Sequence, residues 1–194
     1  MSAIFVISGL QAAGKTTVAG LLARRFPRGV HVAGDDIRAM VVSGRVDMTP
    51  GNPDSAAEQL LARYEAAIAV ARVYHDAGFG VVIEDVILGE MALRFLKLLP
   101  WQEVHFVMLN PSLDSVARRE RQRPKTAYGT AWSIPALAEV LQRRTPVFGL
   151  WLDSTNLTAE QTADRILADV TVSRIDVAGV LALHAPGAGR TATR

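Results

Sequence analysis

Residues 3 to 17 read Ala-Ile-Phe-Val-Ile-Ser-Gly-Leu-Gln-Ala-Ala-Gly-Lys-Thr-Thr, an apolar run that passes into the pattern G-x-x-x-x-G-K-[ST] at Gly9 to Thr16. Ala3 to Ser8 predicts a buried strand, and Thr17 to Phe26 a helix with Val18, Leu21, Leu22 and Phe26 inward. Between them the glycines let the backbone curl, so that successive N–H groups point at one centre where the helix N-terminus adds partial positive charge. The stretch therefore predicts a nucleoside triphosphate site built from Gly9, Gln11, Ala12, Ala13, Gly14, Lys15, Thr16 and Thr17. Lys15 is expected on the β/γ-phosphates as the catalytic cation and Thr16 on a magnesium ion.

The whole chain sets bounds on this reading. Its 194 residues, 49% hydrophobic and 21% charged, suffice for one well-buried domain. Twenty-one basic against nineteen acidic residues leave a net charge of +2, which gives no reason to expect nucleic acid or an anionic membrane as partner. The absence of cysteine excludes a disulfide framework and a thiolate zinc site. The first apolar stretch is short and lacks a preceding positive charge, and no run approaches the roughly 20 apolar residues of a membrane span, so a cytoplasmic protein is expected. His31, His75, His105 and His184 show no metal-ligand spacing and read as structural or solvated. Trp101, Trp132 and Trp151 read as core or interface residues, Trp132 being notable for following a basic run.

Five β-type runs recur near residues 3–8, 30–34, 80–86, 103–109 and 148–153, with helical patterns between them. That alternation predicts an α/β fold with a parallel sheet covered on both faces. Leu60, Tyr64, Ile68, Ala71 and Tyr74 mark one face of a long helix ending before Gly78. Asn52-Pro53 and Asn110-Pro111 read as helix starts, and Thr158 with Gln161 as a capping box. Val42 to Pro53 lacks a sustained period and reads as a loop lining a substrate site. The expected organisation is one domain over residues 1–170, an ambiguous extension over 171–183 (strand, helix or oligomer contact), and a disordered tail over 184–194.

The acidic and basic groups decide what a bound triphosphate is used for. Asp35 and Asp36 follow the second strand, and ligands of open parallel sheets gather at the strands' carboxyl ends. Asp35 is the candidate base and orienter for a hydroxyl nucleophile; the alternative is helix capping, the role expected of Asp36 before a helix at Ile37 to Val42. Arg38, three residues on, is a candidate acceptor contact, and Met40 lies at the edge of the substrate loop. Glu84 and Asp85 end the third run, where a carboxylate can hold magnesium through water. Since successive strand residues face opposite ways, one acid is expected there, with Asp85 favoured. Arg118 to Lys125 is the densest basic run; Arg119 and Arg123, at i and i+4, would close over a triphosphate as a lid, or else decorate a solvated helix. Lys125 and Tyr128 lie at its far end.

Taken together, the phosphate loop, Gly34-Asp35-Asp36-Ile37-Arg38, Val82 to Gly89 and the Arg119/Arg123 pair resemble chloramphenicol phosphotransferase-like kinases, relatives of shikimate, gluconate and polynucleotide kinases. The resemblance covers roughly residues 3 to 169. It implies a P-loop fold with five parallel strands in the order 2-3-1-4-5, a helical lid, and ATP- and magnesium-dependent phosphorylation of a small-molecule hydroxyl, an antibiotic being one such acceptor. By the same likeness Asp35 matches the base and Asp85 an acidic site residue. Asp-Asp-x-Arg is also similar to the acidic motif of 5′-hydroxyl polynucleotide kinases, which keeps a nucleic-acid or nucleoside acceptor as the alternative. A nucleotide-dependent switch or ATPase is the further one. Val42 to Pro53 shows no recognisable chloramphenicol pocket, and its Met, Val and Pro suggest a partly apolar acceptor.

Overall fold

Strand β1 (Ile4–Gly9) is buried along its whole length and runs parallel between β3 (Gly80–Glu84) and β4 (Glu103–Leu109). Neither face of such a strand meets water, which is why Ile4 to Ile7 is an unbroken apolar run. The computed structural model describes residues 3–46, 53–122 and 133–185. In it β2 (Gly29–Ala33) pairs with β3, and β5 (Leu150–Leu152) with β4, giving the parallel order β2-β3-β1-β4-β5. The register sets Ala33, Glu84 and Ile7 in one row across three strands. The chain segments leaving β1, β2 and β3 therefore emerge side by side.

Helices cover both sides of this sheet. Helix α1 (Lys15–Ala23) packs against α7 (Ala159–Ala168), and α3 (Pro53–Asp76) against α4 (Glu90–Leu98). Tyr64, Ile68 and Ala71 form the buried face of α3 as the spacing requires, and the Tyr64 ring meets the edge of Phe95 from α4 at 5.1 Å. Tyr74, expected on that face, is instead 42% exposed, since it lies in the last turn, where its ring packs on Phe79. The capping box of α7 forms in full, Thr158 and Gln161 each bonding the other's backbone.

Two element starts differ from expectation. Helix α2 (Gly34–Ala39) begins directly from β2, so Asp35 and Asp36 both sit in its first turn and the cap position falls on Ala33, which makes no side-chain cap bond. Asp36 is therefore no cap; both acids favour the helix through its dipole instead. Helix α5 (Leu113–Arg121) is capped by Ser112, not Asn110, whose backbone N–H is still bonded to Leu152 at the end of β5.

The stretch from Val170 resolves into α8 (Val170–Ser173), β6 (Arg174–Asp176) and α9 (Val177–Leu183). Strand β6 runs antiparallel along the first half of β4, whose second half pairs with β5, and Arg174 closes an ion pair with Glu103. Helix α6 (Ile134–Glu139) continues into one π-helical turn, Val140–Arg144. Met48, Pro50, Gly51 and Asn52, then Arg123, Lys125, Tyr128 and Trp132, and the tail from Pro186 onward lie outside the described residues. No helix among the described residues is long and apolar enough to cross a membrane.

Candidate functional site

The loop leaving β1 turns on two left-handed residues, Ala12 at φ 61° and Gly14 at φ 100°. The second is natural to glycine, whereas Ala12 carries strain of the kind found at ligand clamps. The result is a concave run of backbone ahead of α1, whose N-terminus adds its dipole. Lys15 is buried, and its Nζ donates to the Leu10 carbonyl at 3.0 Å, lying back across the loop it belongs to.

Glu84, the last residue of β3, is buried, and its Oε1 accepts from the Thr16 hydroxyl at 2.9 Å. The carboxylate that meets Thr16 is thus Glu84. Asp85, one residue past the strand, faces α3, where its Oδ1 receives the Arg63 guanidinium at 2.7 Å and the Val86 N–H at 2.6 Å. Strand alternation separates the two acids, as a period of two demands. Burial pushes the Asp85 carboxyl up to about 6, against the pull of Arg63, the Val86 N–H and Lys15. Its Oδ2 rests against Gly34, where a Cβ would fall 2.0 Å away, so only glycine lets β2 turn into α2 here. His31 stands 3.9 Å from Glu84, and burial lowers its pKa despite the acids nearby.

A cavity of about 1330 Å³ opens over these strand ends. Gln11 to Thr17, Glu84 and Asp85 line it, together with Asp35 and Arg38 of α2 and Met40 just beyond that helix. Asp36 does not reach it. Arg119 of α5 bridges two walls: one terminal nitrogen donates to the Ala13 carbonyl at 2.9 Å, the other to the Ser154 carbonyl at 3.1 Å. Burial beside Arg118 lowers its pKa. Arg119 therefore lies against the phosphate loop, while its expected partner Arg123 is outside the described residues. The lining also includes the apolar Leu60, Val86, Leu88, Met91, Leu137 and Val140. Thr145 braces Val140 of this lining, accepting from the Gly89 N–H at 2.8 Å and donating to the Val140 carbonyl at 3.0 Å.

The phosphate loop, Asp35, Arg38, Met40, Asp85 and Arg119 thus share one cavity although they come from distant parts of the chain. The model of chloramphenicol phosphotransferase-like proteins matches residues 2–171. The chain belongs to the chloramphenicol phosphotransferase-like family. Among solved structures, a sugar kinase from Janibacter sp. HTCC2649 shares 19% identity at a TM-score of 0.65, over 89% of this chain and 96% of that one. The APS kinase of Mycobacterium tuberculosis, in complex with AMPPNP and APS, shares 17% at 0.62, over 88% and 98%. A tunicamycin resistance protein from Deinococcus radiodurans shares 19% at 0.57, over 90% and 98%. At such identities these are likenesses of fold. No curated protein sequence matches the chain. Family and fold together make this chloramphenicol phosphotransferase-like protein a kinase of small molecules with P-loop nucleotide-binding architecture.

Arg63, Gln59 and Ser154 are among the lining residues that the sequence did not single out. Arg63 sits three residues after Leu60, a charge beside the inward face of α3, and that position was its one available signal. Gln59 and Ser154 gave no such signal, because their roles depend on the segments folded against them.

Proposed function

We propose that this protein transfers the γ-phosphate of ATP to a hydroxyl group of a small molecule, with magnesium as helper. One observation carries the reading: a single cavity holds the phosphate loop, the Thr16–Glu84 pair and Asp35 together, then continues into an apolar wall. In this scheme the loop N–H groups and Lys15 bind the β- and γ-phosphates, Lys15 exchanging the Leu10 carbonyl for phosphate oxygen. Arg119 supplies positive charge beside the loop.

A hydroxyl and a buried carboxylate 2.9 Å apart, both hard oxygen donors beside the loop, fit magnesium, with Thr16 as ligand and Glu84 holding its water. Asp85, tied to Arg63, belongs by contrast to the acceptor side. When bound, the ion neutralises phosphate charge and orients the γ-phosphoryl group.

Asp35 takes the proton of the acceptor hydroxyl as its oxygen bonds the γ-phosphorus. The bond from that phosphorus to the bridging oxygen breaks, and ADP leaves with the electron pair. Arg38, Met40 and Asp85 meet the acceptor, and the apolar wall favours an alcohol with an apolar body, a class that includes hydroxylated antibiotics. The test is transfer of label from γ-labelled ATP across hydroxylated antibiotics, nucleosides, sugars and 5′-hydroxyl oligonucleotides. Label on oligonucleotides alone overturns the small-molecule acceptor, and hydrolysis indifferent to every added alcohol overturns transfer itself.

A further inference from the structure

Arg63 and Asp85 form an ion pair in the cavity wall, with side chains only 17% and 6% exposed. Asp85 is held by two donors on one oxygen, and its neighbour Val86 is held in turn by the Tyr64 hydroxyl, which donates to the Val86 carbonyl at 2.8 Å. The pair is therefore fixed in place from α3. Its charges cancel, yet its hydrogen bonding is incomplete: Arg63 Nε and Asp85 Oδ2 are buried without partners. A buried polar atom without a partner is costly, and here a donor and an acceptor of that kind sit on one ion pair beside a cavity.

Of the other cations lining the cavity, Lys15 belongs to the phosphate loop, Arg119 lies against that loop from α5, and Arg38 and Arg45 each have interactions of their own. Resting on the phosphotransfer reading above, we infer that the Arg63–Asp85 pair sets acceptor selectivity, admitting uncharged hydroxyl-bearing molecules and turning away carboxylated ones. An uncharged alcohol can donate a hydrogen bond to the carboxylate side of the pair and accept one from the guanidinium side. A carboxylate finds the guanidinium already neutralised and a second carboxylate beside it, so its desolvation goes uncompensated. Removing Asp85 alone leaves a buried, uncompensated Arg63, which an anionic acceptor would neutralise.

The experiment compares matched acceptors: glucitol with gluconate, glycerol with glycerate, and methyl glucoside with methyl glucuronide. Label transfer from γ-labelled ATP gives the ratio of kcat/KM within each couple. The wild type should favour the uncharged member by about tenfold or more, and Asp85→Asn should move that ratio at least about tenfold toward the carboxylated member. Should Asp85→Asn fail to fold, the Arg63→Gln/Asp85→Asn double variant, which removes both charges, should weaken the discrimination several-fold. Transfer to carboxylated members alone, or a ratio unmoved in a folded variant, overturns the selectivity role and leaves phosphotransfer standing. Transfer to no acceptor, by a wild type that binds ATP, overturns the phosphotransfer reading and the selectivity role with it.

Discussion

At the scale of single residues, the site depends on which atom each charged group faces. Lys15 lies on the Leu10 carbonyl within its own loop, and the proposed contact with phosphate replaces that bond. Lys15→Ala should lower kcat by about 10²–10³, the cost of one preorganised donor to a transferring group. Asp35→Asn should lower it by about 10²–10⁴ with ATP affinity retained, the range of general base catalysis. Transfer as fast as wild type in either variant would refute the role given to that residue, and single-turnover label transfer measures both. Glu84 makes a separate prediction. Because its Oε1 holds the Thr16 hydroxyl, Glu84→Gln should raise the magnesium concentration needed for half-maximal rate, while Asp85→Asn should leave that concentration near the wild-type value.

At the scale of elements, part of the cavity lining is shaped by the way α3 grips the segment ahead of it. Gln59 donates to the Gly44 carbonyl at 2.7 Å and accepts from the Val46 N–H at 2.8 Å, one amide closing both ends of a short turn. That clasp sets Arg45 and Val46 in the cavity lining. Gln59→Ala should raise the acceptor KM by up to about tenfold, as expected for two exposed or half-buried hydrogen bonds, with kcat and melting temperature little changed. Steady-state kinetics at saturating ATP tests this, and an unchanged KM would separate the turn from acceptor binding.

The molecule as a whole carries a pH signature at the join between its sheet and its last elements. His105 of β4 stacks on Phe5 with ring centroids 4.4 Å apart, and its Nδ1 lies 3.0 Å from the Ser173 hydroxyl and 3.2 Å from the Val170 carbonyl. Burial lowers its pKa from the ordinary 6.5. The unfolded chain therefore takes up this proton first, so the contribution of His105 is complete above pH 6.5 and is lost as pH falls toward the lower folded value. Asp85 acts in the opposite sense, since its raised carboxyl binds a proton in the folded state before the unfolded one does. Urea unfolding of wild type and His105→Gln across pH 7.5 to 5 (roughly one unit either side of the free imidazole value) isolates the first effect. The wild type's advantage over the variant should shrink on acidification, and a constant difference would rule the assignment out.

Much of the fold was legible in local sequence. The apolar run into Gly9–Thr16, the period of α3 and the capping box of Thr158 and Gln161 each describe an interaction completed within a few residues, which a local pattern can encode. Element ends were less legible, because pairing sets them: β2 passes straight into α2, and Asp36 loses the capping role its neighbours suggested. The division of labour between Glu84 and Asp85 was open for a related reason. Alternation says that two adjacent acids part, but only the register of β3 against β1, and the approach of Arg63 from α3, decides which one meets Thr16. By itself the sequence determined a phosphate loop on a parallel sheet and the acids beside it. Tertiary structure alone decided that Arg63 neutralises Asp85, that Arg119 spans from Ala13 to Ser154, and that β6 returns to the edge of β4. Each of these joins residues at least twenty-two positions apart, and contacts at such separations are set by packing and register, which leave no local pattern.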